Sequence, residues 1–149
     1  MSLAGKVALI TGSGRNIGRA TVLELAARGA DVVVNARTKL AEAAALEAQA
    51  LGVRAMALMA DVADQPQIDR MISEAAVQLG PIDTLVNNAG LRKVAPISEL
   101  SVEEWREVVG VNMDGPFYLC KAVVPSMVQR GWSRIINVSG LNAFRGRAN

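Results

Sequence analysis

The sequence predicts an α/β fold, a parallel sheet with helices on both faces. Three observations predict it. Short apolar runs alternate with longer stretches of helical periodicity, the pattern of βαβ units. A glycine-rich turn, TGSG, joins the first apolar run to the first helical stretch. Hydrophobic residues make up 51% of the 149 residues, which suits a sheet covered on two sides. One domain spanning residues 1–149 is the natural expectation for this length.

The first strand is expected over 7–11, because Val7, Ala8, Leu9 and Ile10 run without a polar break. In the turn that follows, Gly12 and Gly14 allow a sharp bend and close approach to a ligand. The helical pattern begins near Asn16, predicting a helix over 17–28. Its N-terminus would offer free N–H groups and partial positive charge to a pyrophosphate. Strands are predicted at 31–35, 54–59, 84–87 and 134–139, and helices at 39–51, 65–79 and 102–129. The alanine-rich stretch 41–50 rests on alanine's helix propensity. Gly29, Gly52, Gly80 and Gly131 each follow a helical stretch, where a left-handed residue is expected. The fifth strand carries Ile135, Ile136 and Val138 on both faces, the pattern of an interior strand. An apolar edge invites pairing, so either further chain or a partner is expected to cover it.

Composition excludes several function classes. A net charge of +2, 3% aromatic residues and no basic run with interleaved aromatics argue against a nucleic-acid partner. One cysteine, Cys120, and no histidine argue against a metal site and an internal disulfide. No apolar run is long enough to span a bilayer, so no membrane role and a cytoplasmic location are expected.

Polar and glycine residues gather at the carboxyl ends of the predicted strands, where open α/β sheets bind ligands. They are the loop 11–18, Ala36 and Arg37, Asp61 and Val62, and the run Asn87, Asn88, Ala89 and Gly90. Asn112 lies in the long helix, with Pro116 four residues on. Proline has no N–H, so the Asn112 carbonyl loses its helical partner, and Gly115 eases the kink.

Taken in order, TGSGRNIG, DV, NNAG, the helix asparagine and RIINVSG resemble the short-chain dehydrogenase/reductase family over the whole chain. The resemblance implies a Rossmann-like three-layer sandwich with a parallel sheet. This chain would supply strands of order 3-2-1-4-5, the N-terminal portion of a single larger domain. It implies a nicotinamide cofactor on Gly12, Gly14, Arg15, Asn16, Ile17 and Gly18 of the loop, with Arg37, Asp61, Val62, Asn88, Ala89 and Gly90. Asp61 would accept from the adenine amino group, while Asn88, Ala89 and Gly90 would line the ribose and nicotinamide side. Asn87 is expected to bond between strands. Asn16 stands where the family usually has glycine, and asparagine tolerates the left-handed region. Serving as a helix N-cap is the alternative for Asn16, and also for Asp61, where Asp64 could cap instead.

An NAD site usually ends its second strand in Asp or Glu; here Ala36 and Arg37 stand there. With Arg15, Arg37 suits a 2′-phosphate, so NADP(H) is preferred and NAD(H) remains possible. The resemblance makes the Asn112 carbonyl the holder of a relay water. Gly140 takes the place of the family's catalytic serine, with Ser139 one residue early and Asn142 a polar group beyond. The family's Tyr-x-x-x-Lys pair is absent; Tyr118 and Lys121 lie in the wrong element. Trp105, among acidic residues, suits packing or a partner, and Arg145 and Arg147 form a basic tail.

The expected function is hydride transfer between NADP(H) and a small carbonyl or alcohol substrate, in a homo-oligomer (dimer or tetramer). These residues alone would be inactive. The rivals are a non-catalytic dinucleotide-binding or regulatory module, and a structural subunit pairing through its open sheet edge.

Overall fold

A computed structural model describes residues 2–140. Five strands form one parallel sheet of order β3-β2-β1-β4-β5. They are β1 (Val7–Ile10), β2 (Asp31–Ala36), β3 (Ala55–Met59), β4 (Thr84–Asn87) and β5 (Arg134–Asn137). Between them run α1 (Asn16–Ala27), α2 (Leu40–Gln49), α3 (Gln65–Gln78), α4 (Val102–Val109) and α5 (Gly115–Arg130). This is the expected Rossmann-like sandwich, with ends shifted by a residue or two. Asn142, Arg145 and Arg147 lie outside the described residues.

Alternation along β1 and β2 makes two cores. Leu9 and Val33 face α3 and α5, packing with Ile68, Met71, Leu119 and Val123. Ala8, Ile10, Val32 and Val34 face α1 and α2, packing with Val22 and Ala26. On α2, Ala41, Ala44, Ala45 and Ala48 are buried at helical spacing. The alanines thus supply a thin face that lets the helix lie close to the sheet, beyond the propensity argument.

Gly29, Gly52, Gly80 and Gly131 all take positive φ, as expected after helices. At the amino end of the sheet, buried Asp83 accepts from the Val7 N–H and pairs with Arg130 and Lys6. Lys6 also lies over the Trp132 ring. This network anchors the end of the strands opposite the glycine turn.

The single helix expected over 102–129 is corrected. A π-helical turn, Gly110–Asp114, separates α4 from α5. The Gly115 N–H donates to the Gly110 carbonyl, and Pro116 falls in the first turn of α5. There a missing N–H costs little. Proline in an unbroken helix would clash with the carbonyl four residues back, and the wider turn absorbs that conflict.

β5 forms one edge of the sheet, with Ile135 and Ile136 half exposed. Among the described residues no helix is long and apolar enough to cross a membrane.

Candidate functional site

The strand ends after β1, β2, β3 and β4 open into one cavity of about 430 Å³. Gly12, Gly14, Arg15, Asn16, Ile17 and Gly18 line it from the glycine turn. Arg37, Asp61 and Val62 line it from the ends of β2 and β3, and Asn88, Ala89 and Gly90 from the end of β4. The fold thus brings all these sequence-predicted positions to one wall.

Glycine is required by close approach. A Cβ on Gly18 would stand 2.6 Å from Asn88 Nδ2, the Gly12 carbonyl oxygen and Ser13 Cα. Gly12 sits at φ +60°, where a Cβ would meet Ala89 Cα at 2.8 Å. A Cβ on Gly14 would meet Leu40 Cβ at the same distance. Asn16 is the one non-glycine residue at positive φ among the described residues, at φ 50°. It adopts the left-handed conformation available to asparagine. It is not the helix cap: Arg15 occupies that position, and no side chain caps the first turn of α1.

Asn88 and Thr11 hold the turn in place. Asn88 Nδ2 donates to the carbonyls of Thr11 (2.9 Å) and Gly12 (3.1 Å). The Thr11 hydroxyl accepts from the N–H groups of Asn88 and Ala89, both at 3.0 Å. With two loop carbonyls bound behind, the uncapped N–H groups of α1 remain at the cavity. Such a helix end favours an anion. The glycine cradle and this donor set fit a dinucleotide pyrophosphate.

Asp61 is fixed by its own loop. Its Oδ1 accepts from the Ala63 N–H at 2.9 Å, and its N–H donates to Gln67 Oε1 at 3.0 Å. Asp64, not Asp61, caps α3, accepting from the Gln67 N–H. That bond, then the Gln67 side-chain amide, holds the Asp64 carboxyl below the ordinary aspartate value. Asp61 Oδ2 lies 3.6 Å from Arg37 Nη1.

Asn112 does not line the cavity wall. It lies in the π-helical turn, and its side chain clasps the backbone of Leu91. Nδ2 donates to the Leu91 carbonyl at 2.7 Å, and Oδ1 accepts the Leu91 N–H at 2.9 Å. Leu91 does line the cavity, so the turn steadies one wall. On the same segment, Lys93 reaches Glu104 and Glu107, both at 3.3 Å. Glu107 first, then Glu104, raises the Lys93 pKa. Ser139 is exposed beyond β5 and lies outside the cavity wall. Asn87 bridges to Asn137 Oδ1 at 2.7 Å, joining β4 to β5 as expected. Cys120, half buried, packs against the core.

Sequence reasoning missed Asn35. It is buried in β2, and its Nδ2 donates to the carbonyls of Leu58 and Ala60, both at 3.1 Å. Its carbonyl accepts from the Ser13 N–H at 2.8 Å. One polar residue in the apolar run VVVNA was the available signal.

The family model for short chain dehydrogenases matches residues 6–149. A 3-oxoacyl-[acyl-carrier-protein] reductase of Synechocystis is 39% identical over 99% of this chain and 62% of its own length. A 5-keto-D-gluconate 5-reductase of Escherichia coli is 37% identical over 98% of this chain and 58% of its own. The chain therefore spans about three fifths of these curated relatives. Among solved structures, a gluconate 5-dehydrogenase of Burkholderia cenocepacia in complex with NADP and tartrate superposes with TM-score 0.88 at 38% identity. It covers 98% of this chain and 58% of that one. A metagenomic short-chain oxidoreductase in complex with NADP gives TM-score 0.94 at 33% identity, covering 99% of this chain and 68% of that one.

Proposed function

The chain belongs to the short-chain dehydrogenase family, and from that premise we propose that the intact protein is an NADP(H)-preferring oxidoreductase acting on a small carbonyl or alcohol substrate. One observation carries the cofactor choice. The carboxyl end of β2, at Ala36, carries no carboxylate, and Arg15 and Arg37 line the cavity. A guanidinium fork there suits a 2′-phosphate, whereas a ribose 2′-hydroxyl would be met by Asp or Glu. Two structurally similar relatives were solved in complex with NADP, which supports the same reading.

Bound NADP(H) would supply or accept a hydride at its nicotinamide ring. This chain's residues would bind and orient it. The α1 N-terminus would hold the pyrophosphate, Arg15 and Arg37 the 2′-phosphate, and Asp61 and Val62 the adenine. Asn88, Ala89 and Gly90 would line the ribose and nicotinamide side. The Asn112 carbonyl would hold a relay water, while its side chain keeps Leu91 in place. Ser139 would act only if it turned from its exposed position toward the substrate. The exposed apolar residues Met113 and Phe117 on the α4–α5 segment favour a homo-oligomer.

Fluorescence titration of the intact protein with NADPH and NADH at low salt tests the reading. A charged hydrogen bond is worth about 1.5–3 kcal/mol, so NADPH should bind about tenfold tighter or more. Arg37→Ala should remove most of that margin. Equal affinities in the wild-type protein would overturn the assignment to NADP(H). NADPH binding without turnover of any carbonyl substrate would favour the non-catalytic module.

A further inference from the structure

Arg37 is not an idle cation awaiting a phosphate. Its Nη1 lies 3.6 Å from Asp61 Oδ2 at the mouth of the cavity. The carboxylate is the rigid partner. Asp61 Oδ1 is occupied by the Ala63 N–H, and the Asp61 N–H is bound to Gln67 Oε1. Gln67 is itself tied to Asp64 through its backbone N–H (3.0 Å) and side-chain amide (2.8 Å). That leaves Oδ2 to meet the guanidinium. The arginine is the movable partner, with its side chain 58% exposed against 33% for Asp61.

We infer that Asp61 is a specificity-determining residue: by holding Arg37 in the free protein it competes with the ligand's 2′-phosphate and narrows the preference for NADPH over NADH. The inference rests on the cofactor reading above. NADH, with no 2′-phosphate, can bind while the Arg37–Asp61 pair persists. NADPH must draw Arg37 away and seat a phosphate near the same carboxylate. A pair this exposed is weak, so the competition tunes the preference without abolishing it. Among the described residues Arg15 makes no ion pair, so the competition falls on Arg37 alone.

The test measures dissociation constants for NADPH and NADH in the wild-type protein, Asp61→Asn, Arg37→Ala and the double variant, by fluorescence titration. Asparagine keeps an oxygen for the Ala63 N–H. Any lost contact to adenine weakens both cofactors alike and cancels in their ratio. The ratio of the NADH to the NADPH constant should rise about two- to fivefold in Asp61→Asn. It should fall in Arg37→Ala and stay at that lower value when Asp61→Asn is added. An unchanged ratio in Asp61→Asn overturns the inference, as does an equal rise in the Arg37→Ala background. If Arg37→Ala leaves the wild-type ratio untouched, the cofactor reading fails first and this inference with it. Asp61→Ser, which retains a hydroxyl acceptor, answers the same question should the asparagine variant not fold.

Discussion

A methyl group at Gly18 would enter the space held by Asn88 Nδ2 and the Gly12 carbonyl, each 2.6 Å from its Cβ. Neither can retreat cheaply, since the amide bonds two loop carbonyls and the other atom is backbone. Gly18→Ala should therefore weaken NADPH binding by about tenfold or more, while far-ultraviolet circular dichroism stays native. Retained affinity would show that the cradle does not contact the ligand. Asn35 makes the complementary case, a residue at the cavity whose side-chain amide is spent on the backbone of the neighbouring strand. Asn35→Leu leaves the Leu58 and Ala60 carbonyls without their buried donor. A loss of about 2–3 kcal/mol in urea denaturation is expected. A loss below about 1 kcal/mol would mean that water replaces the amide. The sequence could place Gly18 by its motif, because the motif is a local consequence of a tight turn. It could not place the partners of Asn35 or Arg37, which arrive from β3 and the loop after it only once the sheet forms.

At the scale of elements, strands and crossovers were legible because their apolar runs and helix-ending glycines are local signals. The π-helical turn was not. Its apolar periodicity continues through residues 110–114, and only Gly115 and Pro116 hinted at a break. Gly115 also matters for packing, as its Cβ would meet the Val62 carbonyl oxygen at 2.9 Å. The start of α3 yields a pH prediction. Asp64 accepts from the Gln67 backbone and side chain, which lowers its pKa in the folded chain. A lowered folded value means that this stabilisation is present above the unfolded pKa and is lost as pH falls through the folded one. The thermal midpoint of the wild-type chain should exceed that of Asp64→Ala near neutrality, with the gap closing as the pH falls through and below the ordinary aspartate range. Asp64→Asn, a good cap that does not titrate, should differ from Asp64→Ala by a gap nearly constant across that range. A gap between wild type and Asp64→Ala that persists unchanged into acid would rule out the carboxylate as its source.

At the scale of the whole sheet, the described residues bury its centre well and β5 poorly. Val32, Val33 and Val34 in β2 are fully buried, whereas Ile136 in β5 is 49% exposed. The sequence pattern anticipated this, since Ile135, Ile136 and Val138 make the strand apolar on both faces, and either further chain or a partner is expected to cover it. An exposed apolar surface runs from the π-helical turn along α5. Met113 and Phe117 are four residues apart, as are Val124 and Val128, and all four are exposed, Phe117 at 62%. Residues at that spacing share a helix face, and contiguous apolar patches on soluble proteins commonly mark interfaces. A helix face can be covered by the same face of a second copy, which a two-fold axis supplies. Phe117→Glu should therefore lower the mass seen by light scattering, because a charge cannot be buried there without a partner. NADPH affinity should stay unchanged, since Phe117 does not line the cavity. If Phe117→Glu leaves the mass unaltered, the helix face is not the interface.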